Sequence, residues 1–207
     1  MLVTILSVAA IFVVIIAYGV YYFDIRNSKI SPNRFSWLIW SFSASLETIT
    51  YSVVSQDFVK STCFYISSII CIGITIKIWH LSKHTKVKKT EKISLIFCTG
   101  SLLIWIIFNS AWFAHLFLLV AIPIAFIPTL KGAIQNYQNE NSHAWILWSI
   151  SDIFVLGVII TRLDKIEELP YAIIELICHF SVFAIVTIKK LKSGKRFVVA
   201  KYLLQKK

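Results

Sequence analysis

The sequence predicts an all-α integral membrane protein with seven transmembrane helices, built as two parallel three-helix repeats joined by a linker helix. Three observations carry this prediction. The chain of 207 residues is 57% hydrophobic and only 15% charged, whereas soluble domains are nearer 45–50% apolar and about 25% charged. Apolar runs of about twenty residues, long enough to cross a bilayer, recur along the whole chain. Two similar stretches, residues 35–44 and 143–152, lie 108 residues apart.

The predicted spans are separated by polar or charged connections. The first span lacks the basic start and small-residue cleavage site of a signal peptide, so we expect it to be retained. Between Ile93 and Leu130 no Asp, Glu, Lys or Arg occurs. That run is too long for one span but long enough for two short helices, with a turn at Asn109-Ser110. The seven predicted spans are residues 2–23, 35–55, 59–79, 93–108, 111–130, 143–161 and 170–188.

Pro123 and Pro128 lie near the end of the fifth span. Proline lacks a backbone donor and clashes with the preceding turn, so we expect these residues to kink or end the helix. They are also candidates for a gating hinge, although proline is common in membrane helices as a plain kink.

The basic residues predict the orientation. The formal net charge is +11, and Lys and Arg lie between and after the apolar runs, as orientation signals do, which argues against nucleic acid as a partner. With the amino terminus outside and the carboxyl terminus cytoplasmic, the inner face collects seventeen Lys and Arg residues, and the outer face has Lys60, Arg162 and Lys165. We expect the basic loop (80–92) and tail (191–207) to contact anionic lipid headgroups. The richness in Lys and Ile favours a bacterial inner membrane.

The internal repeat sets the architecture. A shift of 108 residues maps the first three spans onto the last three and leaves the fourth as a linker. The two halves then point the same way, as in transporters whose solute site lies between the halves near the midplane. The chain divides into a first repeat (1–80), a basic loop and linker helix (81–110), a second repeat (111–190) and a basic tail (191–207). The identical pairs are Asn33 and Asn141, Trp37 and Trp145, Trp40 and Trp148, Ser41 and Ser149, and Ser43 and Ser151.

Two local patterns accompany this plan. One is Ile127-Pro128-Thr129-Leu130-Lys131 followed by Asn141-Ser142, and the other is Trp145 and Trp148 followed by Asp152. The first is similar to the connection closing the first helix of a PQ-loop repeat. The second resembles the Trp-x-x-Trp and aspartate on the sixth helix of nicotinamide riboside transporters. The chain thus resembles the SWEET, PQ-loop and nicotinamide riboside transporter superfamily, although it has no literal Pro-Gln pair.

Ionisable side chains within the spans are the first candidates for function, because such residues are costly in a membrane and usually face a cavity or a partner. Glu47, Asp152 and Glu175 are the acids in question. Glu175 and His179 are adjacent on one helical face, so they can bind a polar solute, relay a proton or form an interhelical hydrogen bond. The alternative for each acid is a carboxyl kept neutral by burial and hydrogen-bonded to Ser or Thr. His115 stands alone and is interpreted as a packing residue.

Tryptophan supplies the second set of candidates. Trp40 and Trp148 occupy equivalent positions and suit stacking against a sugar or a nucleobase-like ring. The alternative is an interfacial tryptophan belt. The predicted substrate-binding residues are Trp40, Glu47, Trp148, Asp152, Glu175 and His179.

The predicted function is a carrier that exposes a midplane site alternately to each side of the membrane. Its solute is a small polar metabolite, either vitamin- or nucleoside-like, such as nicotinamide riboside, or a sugar. A seven-helix receptor or sorting protein without transport stays open as the alternative, as does assembly into a homo-oligomer. No enzyme motif occurs. A retinal protein is set aside because residues 170–188 contain no lysine. We expect no cofactor and no metal, since the four cysteines lie in apolar segments without CxxC spacing.

Overall fold

A computed structural model describes residues 1–81, 87 and 89–204 of the chain. Throughout these residues the regular structure is helical and contains no strand, which confirms the all-α prediction. The α-helices are α1 (Leu2–Arg26), α2 (Arg34–Ser55), α3 (Phe58–Leu81), α4 (Lys89–Phe108), α5 (Ala111–Gln135), α6 (Ser142–Thr161) and α7 (Leu169–Leu204). Of the predicted basic loop, Lys83, Lys86 and Lys88 lie outside the described residues, as do residues 205–207 of the tail.

Six of these helices are long and apolar enough to cross a membrane, which marks the chain as an integral membrane protein. The exception is α2, which contains Arg34, Glu47 and many Ser and Thr residues. It packs against α3, α4 and α5, and 13 of its 22 residues are buried. Because protein surrounds so much of α2, this helix does not need the apolar surface that lipid demands of the others.

Two equivalent asparagines begin α2 and α6. The side-chain oxygens of Asn33 and Asn141 accept hydrogen bonds from the backbone N–H two residues on, at 2.9 and 2.8 Å. Such caps satisfy donors that a helix start leaves free. The amide nitrogen of Asn33 donates to Glu91 on α4, and that of Asn141 donates to Asp24 on α1. Each asparagine therefore starts one helix and ties it to another.

The fifth helix continues past both prolines, to Gln135, so the expectation that Pro123 or Pro128 ends it near residue 130 is wrong. The backbone carbonyl of Ile124, which has no N–H partner at Pro128, accepts a hydrogen bond from Ser94 Oγ on α4 at 3.0 Å. A neighbouring hydroxyl is a usual replacement for the hydrogen bond that proline removes in a membrane helix. The linker helix α4 thus supports α5 at its second proline.

The helices pack in an order that leaves a space between two halves, here defined as α1–α3 and α5–α7. α1 packs against α3 and α6, α7 packs against α5 and α6, and α4 lies outside on α5 and α2. One end of the bundle, here called the turn end, contains the connections at 56–57, 109–110 and 162–168. The other, the loop end, contains the connections at 27–33 and 136–141.

Candidate functional site

A cavity of about 80 Å³ lies between the two halves, roughly midway along the helices. Its acidic and basic lining residues are Asp152 on α6 and Glu175 and His179 on α7. Aromatic rings from six helices complete most of the wall, and serines and two cysteines add polar atoms. The aromatic lining residues are Tyr18, Trp40, Phe64, Phe126, Trp148 and Tyr171, and the small polar ones are Ser43, Ser67, Ser151, Cys63 and Cys71.

Three of the predicted site residues form a chain of ionisable groups in this wall. His179 Nδ1 lies 2.7 Å from Asp152 Oδ2, and His179 Nε2 lies 3.5 Å from Glu175 Oε2. The second contact joins neighbours on one face of α7, as the i, i+4 spacing predicts. The first crosses from α7 to α6, so the imidazole lies between carboxyl groups of two helices.

Aromatic rings enclose the same imidazole. The rings of His179 and Trp148 are stacked at 24°, with centroids 5.8 Å apart. Phe126 meets His179 edge to face at 5.4 Å, and Trp145 lies 5.7 Å away. Such faces carry negative π density and attract a cation above them. The enclosure therefore suits a positive charge at the position of His179.

Trp148 carries an unused donor. Its side chain is only 4% exposed, and its Nε1 has no hydrogen-bond partner among the described residues. A buried donor without a partner costs about 1–3 kcal/mol. Because Trp148 also lines the cavity, this N–H is available to an acceptor atom that enters it.

A layer of four tryptophans lies on the loop-end side of the cavity. Trp40 lies 5.7 Å from Trp37 and 5.3 Å from Trp145, measured between ring centroids, and Trp145 lies 4.9 Å from Trp148. Trp37, Trp145 and Trp148 are buried. These three tryptophans therefore pack inside the bundle, whereas the residues of an interfacial belt face lipid.

Beyond this layer a polar vestibule of about 200 Å³ opens at the loop end. Trp40 lines both the vestibule and the central cavity, so its indole separates the two spaces. Pro128, one of the predicted hinge residues, also lines the vestibule, whereas Pro123 is exposed on the outer surface of α5. The polar residues around the vestibule include Asn33, Ser36, Thr129, Gln135, Asn139 and Glu140.

Glu140 holds the tryptophan layer from the vestibule side. Its Oε2 accepts hydrogen bonds from Trp145 Nε1 at 3.0 Å and from Tyr21 Oη at 3.3 Å. Burial of the carboxyl raises the pKa of Glu140 to about 7. This residue was not predicted from the sequence, because a glutamate in a polar loop is common and does not indicate a functional site.

At the turn end, ion pairs join the α2–α3 connection to the α6–α7 connection. Lys60 Nζ lies 2.6 Å from Glu168 Oε2 and 3.1 Å from Asp164 Oδ2. Both Lys60 and Glu168 are fully buried. Arg162 Nε lies 2.6 Å from Asp57 Oδ2. The sequence predicts Lys60 and Arg162 only as orientation charges, but they link the two halves.

Asp57 itself is held ionised by these contacts. Partial burial acts to raise its pKa, but the hydrogen bonds from Arg162 and from the backbone N–H groups of Lys60 and Val59 outweigh burial. The pKa of Asp57 is therefore below its usual value. The negative charge at this turn persists at any physiological pH.

Glu47 lies apart from the other predicted site residues. His115 Nδ1 is 2.7 Å from Glu47 Oε1, and both side chains are fully buried. The described lining of the cavity does not include either residue. The sequence predicts Glu47 as a binding residue and His115 as a solitary packing residue. The structure places the two together, between α2 and α5.

In the described part of the chain, no group of three or more His, Cys, Asp or Glu side chains is placed to hold a metal ion. The four cysteines are buried and free. Comparisons with protein-family models, curated proteins and solved structures find no match to this chain.

Proposed function

We propose that this protein is a membrane carrier for a small polar metabolite, which it exposes alternately to the two sides of the membrane. The observation that carries the proposal is the central cavity, which lies midway along the helices and is lined by Asp152, Glu175 and His179. The tryptophan layer separates it from the vestibule, and the ion pairs close the turn end. A site between two closable ends is what alternating access requires.

The pairing of the helices supports a carrier of seven spans in two parallel repeats. Under the 108-residue shift, the packing of α1 on α3 corresponds to that of α5 on α7, and α2 on α3 corresponds to α6 on α7. The packing of α1 on α6 corresponds to that of α5 on α2. The buried pair of Lys60 and Glu168 joins two positions that are themselves 108 residues apart. A pseudo-twofold axis along the membrane normal accounts for all of these relations.

The charge of the site favours one class of solute. Among the described residues, no Lys or Arg lines the cavity, whereas two carboxyl groups and one imidazole do. An anion entering this wall is repelled, and an organic cation is attracted by the carboxyl groups and by the aromatic faces. The solute is therefore a nucleoside-like or vitamin-like cation, for which nicotinamide riboside, with its pyridinium ring, is the example. A neutral sugar is the weaker fit.

The loop end faces the cytoplasm of a bacterial inner membrane in this proposal, and the amino terminus faces outward. The distribution of Lys and Arg supports this orientation, because most of them lie in or after the loop-end connections.

A receptor or sorting protein without transport is the second candidate. The narrowness of the cavity and the buried pair of Lys60 and Glu168 at the turn end favour it, because both features suit a protein that holds a ligand without releasing it on the far side.

Uptake into proteoliposomes tests the proposal, with a panel of radiolabelled nicotinamide riboside, uridine, glucose and alanine. We expect saturable uptake of nicotinamide riboside, and a loss of at least tenfold in Asp152→Asn and in Trp148→Ala. Trp112→Ala is the matched control, because Trp112 is 42% exposed on the outer surface of α5. Binding without uptake of any panel member favours the receptor. Wild-type rates in Asp152→Asn and Trp148→Ala remove those residues from the site.

A further inference from the structure

The surroundings of His179 favour an extra proton in the site. The Nδ1 atom of His179 is hydrogen-bonded to Asp152 at 2.7 Å, and Nε2 lies 3.5 Å from a carboxyl oxygen of Glu175, within ion-pair distance. A neutral imidazole satisfies the first contact alone, by donating from Nδ1. Its unprotonated Nε2 then lies beside a second carboxyl group, so a proton on the ring or on a carboxyl lowers the electrostatic energy of the three groups. The three groups are therefore suited to holding one proton more than two carboxylates and a neutral ring.

The other groups around His179 supply no competing positive charge. Tyr18 on α1, Cys63 and Cys71 on α3, and Tyr171 on α7 are the remaining titratable residues of the described lining. All four are neutral when protonated. The described lining from α2 and α5 has no titratable side chain, and consists of Trp40, Ser43, Ala44, Ile122, Ala125 and Phe126.

The nearby acid–base pair does not alter this charge. Glu47 on α2 and His115 on α5 face each other at 2.7 Å and lie outside the described lining of the cavity. Among the described residues, no Lys or Arg lines the cavity either. A proton held by Asp152, His179 and Glu175 therefore meets no Lys or Arg in the described lining that would oppose it.

The aromatic enclosure of His179 accommodates one cation. Trp148, Trp145 and Phe126 surround the imidazole within 6 Å, which is the geometry of a cation–π site. A solute cation entering beside these rings meets the same carboxyl groups that hold the proton. Two positive charges within a few ångströms of each other repel strongly in a water-poor interior.

We propose that an organic cation and a proton compete for the site formed by Asp152, His179 and Glu175, so that the carrier exchanges one for the other. The inference rests on the proposed function, and it specifies a proton gradient as the driving force for transport. Entry of a monovalent cation releases the proton to the side that is open, and departure of the cation allows a proton to return. One positive charge moves in each direction, so the exchange is electrically neutral.

Competition predicts a definite pH dependence of binding. A bound proton lowers the affinity for the cation, and a bound cation lowers the affinity for the proton by the same factor, since linkage is reciprocal. Below the pH at which the site takes up its proton, the affinity for the cation falls about tenfold for each pH unit, the limit for one proton. Above that pH the affinity is constant.

Calorimetry on the purified full-length protein tests the shared site without transport. Nicotinamide riboside chloride is titrated in two buffers of different ionisation enthalpy, with choline and N-methylpyridinium as further cations. At a pH below that at which the site takes up its proton, we expect release of close to one proton per bound cation. We expect a smaller release in His179→Gln, because only the two carboxyl groups remain to hold a proton. His80→Gln is the matched control, because His80 is exposed at the end of α3. If none of the three cations releases a proton at any pH at which the protein is folded, the inference is overturned.

Proteoliposomes then test the exchange. With potassium and valinomycin holding the potential at zero, an acidic interior is expected to concentrate nicotinamide riboside above the outside level, while internal pyranine reports alkalinisation. Nicotinic acid riboside, which has the same size but a compensating carboxylate, is expected to show neither effect. If uptake of nicotinamide riboside does not depend on the pH gradient, the exchange is overturned, but the proposed carrier function still stands. Proton release on binding, with no uptake at all, supports the shared site and overturns the carrier.

Discussion

Glu140 is the residue whose ionisation the structure constrains most clearly outside the membrane-spanning segments. Its carboxyl accepts hydrogen bonds from Trp145 and Tyr21, and burial raises its pKa to about 7. The folded protein therefore binds a proton here that the unfolded chain, with an ordinary glutamate pKa of about 4.3, has already lost. The contribution of Glu140 to the free energy of unfolding is therefore greatest below about pH 4, and it is lost as the pH rises to about 7.

Replacing Glu140 with glutamine removes this pH dependence. Glutamine keeps an oxygen that accepts from Trp145 and Tyr21 but does not ionise. We expect the variant and the wild type to melt at similar temperatures at pH 5, and the variant to melt at the higher temperature at pH 8. Melting in detergent micelles across this range measures the difference. A constant difference between the two proteins at every pH would show that Glu140 does not ionise within it.

Some residues of the candidate site can be predicted from the sequence, and others cannot. Asp152, Glu175 and His179 stand out because ionisable groups are rare in apolar spans, and the structure brings these three together. Tyr18 and Tyr171 line the same cavity but resemble any other tyrosine in an apolar run. Their contribution depends on the rotation of each helix about its axis, which the nearly uniform hydrophobicity of the spans does not specify.

At the scale of elements, ion pairs join the two halves at the turn end, and the pair of Lys60 and Glu168 is buried on both sides. Lys60 on α3 reaches Glu168 in the short 3₁₀ turn Ile166–Glu168 that precedes α7. Removing one partner leaves a buried charge uncompensated, whereas removing both leaves none. The pair lies next to the surface, since Asp164 is 71% exposed. The cost of breaking it is therefore at the lower end of the usual range.

We expect Lys60→Met to lower the free energy of unfolding by roughly 3 kcal/mol. Lys60→Met combined with Glu168→Leu is expected to recover most of that loss. Chemical denaturation of the wild type, both single variants and the double variant in micelles gives the coupling energy as a double-mutant cycle. Lys165→Met is a suitable control, because within the described part of the chain the Lys165 ammonium bonds only to the Val54 carbonyl, at 3.4 Å. Additive losses in the double variant would contradict the coupling.

The contact between α4 and α5 depends on a proline. Ser94 donates to the Ile124 carbonyl, which lacks an N–H partner because residue 128 is proline. We expect Ser94→Ala to destabilise the protein by about 1 kcal/mol, the usual net value of a hydrogen bond. With Pro128→Ala present, the restored N–H can bond to Ile124, so the further effect of Ser94→Ala is expected to be smaller. Melting of the four combinations measures this, and an equal effect in both backgrounds would contradict it.

The helices themselves were more predictable than their packing. Four helices begin within a few residues of the predicted spans, namely α3, α4, α5 and α6. The turn at Asn109-Ser110 also lies where it was predicted. Span length and turn chemistry determine these features locally. Where α5 continues past Pro128, the carbonyl of Ile124 accepts a hydrogen bond from Ser94, which belongs to another helix. No property of residues 111–130 alone indicates that support.

At the scale of the whole molecule, the two ends of the central cavity are closed by different means. Ion pairs between Lys60, Glu168, Asp57 and Arg162 join the connections at the turn end. At the loop end, Trp40 is the residue shared by the described linings of the cavity and the vestibule. Rotation of an indole requires fewer broken contacts than separation of buried charges, so we expect the loop end to be the easier end to open.

The native cysteines allow this asymmetry to be measured. Cys63 and Cys71 line the cavity, whereas the described lining does not include Cys98, although all three are buried. We expect a small, membrane-impermeant methanethiosulfonate to label Cys63 and Cys71 faster from the loop-end side of oriented proteoliposomes than from the turn-end side. Mass spectrometry locates the label, and proteolysis of an amino-terminal tag, which lies at the turn end, reports orientation.

The same reagent tests whether the ion pairs hold the turn end closed. In the double variant with Lys60→Met and Glu168→Leu, the pair is gone without leaving a buried charge, so labelling of Cys63 and Cys71 from the turn-end side is expected to rise several-fold. Cys98 is the internal control in every sample, and its labelling should stay low throughout. If Cys98 reacts as fast as the cavity cysteines, the reagent is reporting general loosening of the bundle. If the double variant labels like the wild type, other contacts close the turn end, and the layer of Tyr51, Phe64 and Tyr171 is the part of the wall that must move.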